Sequence, residues 1–235
     1  MLGESKEAIL AQIRGGLIVS CQARDDNPLA DPQFILAMAK AAVAGGAAGI
    51  RVEGPEDIRA VTRCLSVPVI GLYKVNYPDS PIYITPTLRE VEMTISCGAQ
   101  VVAIDATARV RPSGETQEHL SQAVELIHKA GRLAMADIST LDEALTAEAL
   151  GFDIVATTLS GYTPYSPAIE GPDLELVQAA ASQCKVPVIA EGRFWHPETV
   201  AQAFELGAWA VTVGTAITDP QKITARFVAK IKARN

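Results

Sequence analysis

The stretch LAMADISTLDEALTAEALGFDIVAT, residues 133–157, contains one complete repeating unit of this chain. A five-residue apolar run ends in a carboxylate at Asp137, an amphipathic segment of helical length covers 140–150, Gly151 closes it, and a second apolar run starts at Phe152. Runs that are hydrophobic at nearly every position suit parallel strands covered on both faces, because the alternation of a half-solvated strand is lost there. A glycine directly after a helix supplies the left-handed turn that other residues resist. The unit therefore reads strand, helix, strand.

Outward from this unit the pattern recurs. Apolar runs begin at Leu17 (LIVSC), Ala48 (AGIRV), Pro68 (PVIGLY), Val101 (VVAID), Leu133 (LAMAD), Phe152 (FDIVAT), Val186 (VPVIA) and Trp209 (WAVTV). Amphipathic segments fill 32–45, 55–65, 86–97, 117–130, 140–150, 173–184, 197–206 and 220–232. Gly46, Gly98, Gly131 and Gly207 repeat the part of Gly151, while Pro32, Pro55, Pro86, Pro197 and Pro220 stand near helix starts, where a missing N–H is harmless. Strand starts recur about every 27 residues, the size of a βα unit. Eight units in 235 residues predict an α/β fold, a single (β/α)8 TIM barrel. One catalytic domain is expected over 1–235, with 1–16 as a short N-terminal helix leading into the first strand. A doubly wound sheet would require a glycine-rich phosphate loop after that strand, and 19–24 reads VSCQAR instead.

Composition narrows the function. The formal charge is -7 and no basic block occurs, which argues against duplex nucleic acid or an anionic membrane as partner. The most apolar segment, 35–50, is interrupted by Lys40 and closed by Arg51, so no transmembrane helix is expected. Glu4, Lys6, Glu7 and Arg14 are scattered where a signal peptide would be basic and then apolar, and a cytoplasmic location is expected. Cys21, Cys64, Cys97 and Cys184 lie far apart, and His119, His128 and His196 form no ligand pattern, so neither disulfide nor metal site is expected.

Helix-to-strand connections are short, whereas four strand-to-helix connections, 22–31, 75–85, 109–116 and 160–172, are long. Nine of the 14 prolines and all five tyrosines fall in or beside them, as expected of the walls of a barrel active site over the strand C-terminal ends. Polar residues end otherwise apolar strands: Gln22, Arg51, Lys74, Asp105, Asp137, Glu191 and Arg193. Val67-Pro68-Val69-Ile70 echoes Val186-Pro187-Val188-Ile189, and counting from these pairs gives Lys74 and Glu191 equal parity. Facing helices, each would cost on the order of several kcal/mol unless paired, so both are expected inward at the barrel mouth. After strands 7 and 8 come Gly192-Arg193 and Gly214-Thr215, in the loops that commonly give backbone N–H groups to a phosphate.

Several motifs together carry a resemblance. They are Ser20-Cys21-Gln22-Ala23, Gly49-Ile50-Arg51, Pro68-Val69-Ile70-Gly71 leading to Lys74, Ile104-Asp105-Ala106-Thr107, Met135-Ala136-Asp137-Ile138-Ser139, TTLSGYT from Thr157, Ala190-Glu191-Gly192-Arg193 and Val213-Gly214-Thr215-Ala216-Ile217. In this order they resemble the N-acetylmannosamine-6-phosphate 2-epimerase family, barrel enzymes of sialic-acid catabolism. The residues flanking Lys74 (Tyr73, Val75, Asn76) and the Phe194-Trp195 pair depart from that pattern. The resemblance implies Lys74 as proton-transferring base, Glu191 as its catalytic partner, and Gln22, Arg51, Asp105 and Asp137 as sugar contacts. It places the phosphate of an N-acetylhexosamine on the loops of Gly192, Arg193, Gly214 and Thr215. No cofactor or metal is implied, and a homodimer is expected. Whether Lys74 alone serves both faces of C2, and whether Glu191 acts as acid or carboxylate, stays open in the sequence. Two alternatives also stay open: a class I aldolase, or another isomerase of a sugar phosphate, and a phosphosugar-binding protein without turnover. Strand 6 ends Thr157-Thr158-Leu159-Ser160 without the lysine usual in barrel aldolases, and borohydride would trap a Schiff base on Lys74 only in the aldolase case.

Overall fold

The structure, a computed structural model, describes residues 5–23, 27–112 and 117–233. Residues 24–26 and 113–116, in two of the connections expected to be long, lie outside the described residues. Eight parallel strands close in sequence order: β1 (Leu17–Cys21), β2 (Gly49–Glu53), β3 (Val69–Leu72), β4 (Val101–Asp105), β5 (Leu133–Asp137), β6 (Ile154–Ala156), β7 (Val188–Glu191) and β8 (Ala210–Val213). The helices are α1 (Lys6–Ile13), α2 (Pro32–Ala44), α3 (Pro55–Cys64), α4 (Leu88–Ser96), α5 (Gln117–Lys129), α6 (Leu141–Ala149), α7 (Leu174–Gln183), α8 (Pro197–Glu205), α9 (Thr215–Thr218) and α10 (Pro220–Lys232). The expected TIM barrel is present, and each expected strand and helix is found within a few residues of its place.

Strand alternation divides the core into an inside and an outside. Ile18, Ile70, Leu72, Val101, Ala103, Leu133, Met135, Ile154, Ala156, Ile189 and Ala210 fill the barrel interior, while their sequence neighbours pack under the surrounding helices. Helix α1, capped by Ser5 accepting from the Ala8 N–H at 3.2 Å, sends Ile9 and Ile13 into the interior cluster. Trp209 Nε1 donates to the Leu10 carbonyl at 2.9 Å, fixing α1 across the N-terminal end of the barrel. That end is sealed by apolar packing, which leaves the strand C-terminal ends for chemistry.

Two departures from expectation have physical causes. Pro86 does not start a helix, because Thr87 and Glu90 form a capping box that begins α4 at Leu88. The connection after β3 is not a loop draped over the mouth. It folds back as a short hairpin: Val75 N donates to the Tyr83 carbonyl at 3.0 Å, and Thr85 N donates to the Tyr73 carbonyl at 2.8 Å. The hairpin then inserts beside β4, where Asp105 N donates to the Ile84 carbonyl at 3.1 Å and Thr85 Oγ1 to the Ala103 carbonyl at 2.7 Å.

Close approach of helix and strand is tightest at Gly71 on β3. A Cβ there would stand 2.7 Å from Ala99 Cβ and 2.9 Å from Thr94 Cγ2. Gly71→Ala is expected to destabilise by about 1–3 kcal/mol through overpacking. Calorimetry should show a melting temperature lower by roughly 2–4 °C for each of those kcal/mol. An unchanged melting temperature would mean α4 does not pack on β3 as described.

Candidate active site

A cavity of about 740 Å³ opens at the strand C-terminal ends, lined from β1, β2, β3, β6, β7 and β8 and by residues of α9 and α10. Arg51 is at its centre. Strand β2 turns it inward, where it is 1% exposed, and it reaches across the barrel to two other strands. Its Nη1 and Nη2 donate to Asp137 Oδ1 and Oδ2 at 3.0 and 2.6 Å, and Nη1 also donates to Glu191 Oε2 at 2.8 Å. Burial works against the charged guanidinium, but the two carboxylates outweigh it and raise its pKa.

The two carboxylates are not bonded alike. Asp137 accepts both guanidinium arms and a hydrogen bond from Thr158 Oγ1 at 2.7 Å, whereas the guanidinium reaches Glu191 with one arm. Glu191 is the less fully bonded of the two. Burial pushes its carboxyl up, to about 7, against the pull of Arg51, and the nearby Asp137 charge adds to the rise. Near neutral pH this group can both donate and accept a proton.

Lys74 lies two residues beyond β3, and its Nζ donates to Gln22 Oε1 at 2.5 Å. Gln22 Nε2 in turn donates to Ser20 Oγ at 2.8 Å, so the end of β1 orients the lysine. Lys74, Gln22, Arg51 and Glu191 all line the one cavity. The equal parity expected for Lys74 and Glu191 thus puts both at the mouth.

Gly192, Arg193, Gly214 and Thr215 line the same cavity. Gly192 and Arg193 both take positive φ, 111° and 56°, and this turn swings the arginine toward the β6 connection. There Nε donates to the Gly171 carbonyl at 2.8 Å, Nη1 donates to the Ser160 carbonyl at 2.5 Å, and the guanidinium lies 5.4 Å from the Tyr162 ring centre. Gly214 caps α9 and packs closely on Ser20. The first N–H groups of a helix have no acceptor within it, and Thr215 and Ala216, the first residues of α9, line the cavity.

Two expected sugar contacts lie elsewhere. Asp105 does not line the cavity. It is fully buried and accepts from Thr107 N at 3.0 Å, Thr107 Oγ1 at 2.7 Å and Arg109 Nη2 at 2.5 Å, tying down the connection after β4. The hairpin supplies the reason, since Tyr83 and Ile84 line the cavity on that side. Asp137 is also absent from the lining and accepts both arms of Arg51. Of the five tyrosines, Tyr83 and Tyr162 line the cavity, while Tyr77 and Tyr165 donate to Glu90 and Glu143.

Thr158 and Thr212 were missed by the sequence reading, although the alternation that turned Arg51 inward applies to both. Arg51 Nε and Thr212 Oγ1 are buried without a hydrogen-bond partner among the described residues. Both belong to residues of the cavity lining.

The chain is similar over most of its length to proteins of one family. Residues 35–233 match the family model described as "Putative N-acetylmannosamine-6-phosphate epimerase". A relative from Caldanaerobacter subterraneus subsp. tengcongensis, bearing the corresponding 2-epimerase designation, is 53% identical over 227 residues, covering 96% of this chain and 95% of its own. One from Clostridium perfringens with the same designation is 50% identical over 224 residues, covering 95% of this chain and all of its own. The solved structure of the N-acetylmannosamine-6-phosphate 2-epimerase from Clostridium perfringens superposes with a TM-score of 0.93 at 47% identity, over 97% of this chain and 99% of that one. Thiamine phosphate pyrophosphorylase from Pyrococcus furiosus, at 17% identity and a TM-score of 0.60 over 92% of each chain, shares the fold.

The Glu191 proton makes stability depend on pH. Its folded value near 7 lies above the ordinary 4.5, so the folded chain keeps a proton that the unfolded chain sheds between those values. Stability contributed this way falls as pH rises through that window. Melting temperatures from pH 4.5 to 8 are expected to fall more in the unaltered protein than in Glu191→Gln. Asp57, held up to about 6 by burial and by neighbouring carboxylates, contributes equally to both. Parallel profiles would show that Glu191 carries no such proton.

Proposed function

The chain belongs to the N-acetylmannosamine-6-phosphate epimerase family, and we propose that it interconverts N-acetylmannosamine 6-phosphate and N-acetylglucosamine 6-phosphate by moving the C2 proton, an isomerase step of sialic-acid catabolism. The observation that carries this reading is the placement of Lys74 and the protonatable Glu191 in the lining of one cavity, with Arg51 donating to that carboxylate.

The chemistry follows from the groups present. Ring opening exposes an aldehyde at C1 and makes the C2 proton removable. Lys74 as neutral amine takes that proton, and the electron pair of the C–H bond moves toward C1. Negative charge gathers on O1, where protonated Glu191 or the unpartnered Arg51 Nε–H can meet it. Return of a proton to the opposite face of C2 completes the inversion, and no electrons leave the substrate. The phosphate is assigned to the Gly192, Arg193, Gly214 and Thr215 end of the cavity, where backbone N–H groups and a guanidinium balance its charge. Gln22 orients Lys74, Asp137 holds Arg51, and Asp105 is assigned a structural part.

Two coarser assignments belong to the same proposal. The four cysteines are free thiols, Cys64 exposed among them, which suits a reducing cytoplasm. Helix α10 buries none of its residues and leaves Phe227 and Ile231 70% and 64% exposed, which favours coverage by a second copy. Sedimentation velocity is expected to find a homodimer, and a monomer at micromolar concentration would remove that assignment.

Proton NMR of N-acetylmannosamine 6-phosphate in heavy water tests the reaction. The expected product is the gluco epimer carrying deuterium at C2, with the rate in Lys74→Ala down by roughly 10²–10⁴-fold. Glu191→Ala is expected to lose kcat more than substrate affinity. Epimer formed without exchange at C2 would overturn the free-base mechanism, and full activity in Glu191→Ala would remove the carboxyl from it.

A further inference from the structure

Strand β8 is apolar except at one position. Val211 and Val213 pack under helices and Ala210 faces the barrel interior, so alternation turns Thr212 inward. Thr212 lines the cavity, is 1% exposed, and its Oγ1 has no hydrogen-bond partner among the described residues. The other buried threonines all have one. Thr85 bonds Ala103, Thr94 bonds Glu90, Thr107 bonds Asp105, Thr157 bonds Glu191, Thr163 bonds Ser139 and Thr218 bonds Ser20. A buried hydroxyl left unpaired is destabilising, and valine would fill the same volume without it.

Its position suggests an occupant. The sheet register sets Thr212 opposite Glu191 on β7 and Ile18 on β1, two residues before Gly214. The hydroxyl thus stands between the carboxyl proposed for proton transfer and the loops proposed for phosphate. A sugar phosphate with C2 near Glu191 and its phosphate near Gly214 passes its intervening carbons over this point.

We infer that Thr212 is a specificity-determining residue, its hydroxyl hydrogen-bonding a substrate hydroxyl on the carbons between C2 and the phosphate. The inference rests on the proposed epimerisation and deepens it. A site built to bond a hydroxyl rejects a ligand lacking one far more strongly than an apolar wall selects for shape. Thr212 therefore lowers the stability of the free protein and raises its selectivity.

Two variants separate this role from a structural one. In Thr212→Val the unpaired hydroxyl is gone, so the melting temperature of the free protein is expected to rise by roughly 2–4 °C. Its kcat/KM for N-acetylmannosamine 6-phosphate is expected to fall about tenfold or more, mainly through KM. Thr212→Ser keeps the hydroxyl and should restore kcat/KM to near its original value. A valine variant with unchanged kcat/KM, a valine variant with a lowered melting temperature, or a serine variant as impaired as the valine one overturns the inference while leaving the reaction standing. If the unaltered protein does not epimerise this substrate, the reaction itself fails and the Thr212 contact fails with it.

Discussion

Arg51 lies between Asp137 and Glu191, and the charge balance of these three groups governs the rest of the barrel mouth. Buried ion pairs recover their desolvation only when the geometry is good and the remaining lone pairs are bonded. Both conditions hold at Asp137, which takes the guanidinium fork and the Thr158 hydroxyl. Removing one partner from such a set typically costs about 3–5 kcal/mol, because the charge left behind is buried without compensation. Glu191 is bonded by one guanidinium arm, and burial together with the nearby Asp137 charge pushes its carboxyl up, to about 7. Burial beside this cluster thus pushes a carboxyl up, to about 7, in the cavity lining.

The site's location follows from the way the two ends of the barrel are finished. Ile9 and Ile13 of α1 fill the N-terminal end with apolar side chains, and the Trp209 indole bonds α1 in place. At the other end the hairpin after β3 brings Tyr83 and Ile84 to one side of the mouth, and Asp105 is committed to Thr107 and Arg109. Polar chemistry is thereby pushed toward β1, β2, β7 and β8. Lysine, arginine and carboxyl converge there, and the turn at Gly192 and Arg193 stands beside them.

The fold was legible because its signal is repetitive and local. Eight apolar runs, five glycine stops and proline helix starts each follow from nearby residues, and no single one has to be right. The parity of Lys74 and Glu191 was legible for the same reason, since alternation along a strand needs no tertiary information. The hairpin was not legible, because its own bonds, Val75 to Tyr83 and Thr85 to Tyr73, span sequence that reads as loop, and those that dock it reach Ala103 and Asp105 on another strand. Asp105 was misassigned for that reason: a carboxylate ending a strand looks alike whether it meets a substrate or its own Arg109. Tyr77 and Tyr165 were likewise taken by buried glutamates that sequence spacing does not reveal.

A chain of formal charge -7 that receives a phosphate must hold its donors where the anion sits and its surplus carboxylates elsewhere. In the proposed reading, groups without net charge share this work: the backbone at Thr215 and Ala216 lies at the phosphate end of the cavity, and the Thr212 hydroxyl meets the sugar chain before it. Neutral donors keep their strength when solvent is excluded, and they place no full positive charge beside the Glu191 carboxyl. A lysine in place of Thr212, directly beside Glu191 in the sheet, would attract the phosphate more strongly but would also pull the carboxyl toward its ionised form. The unpaired hydroxyl is the compatible choice: it can hold the substrate chain without setting a cation beside the carboxyl that burial and Asp137 push up.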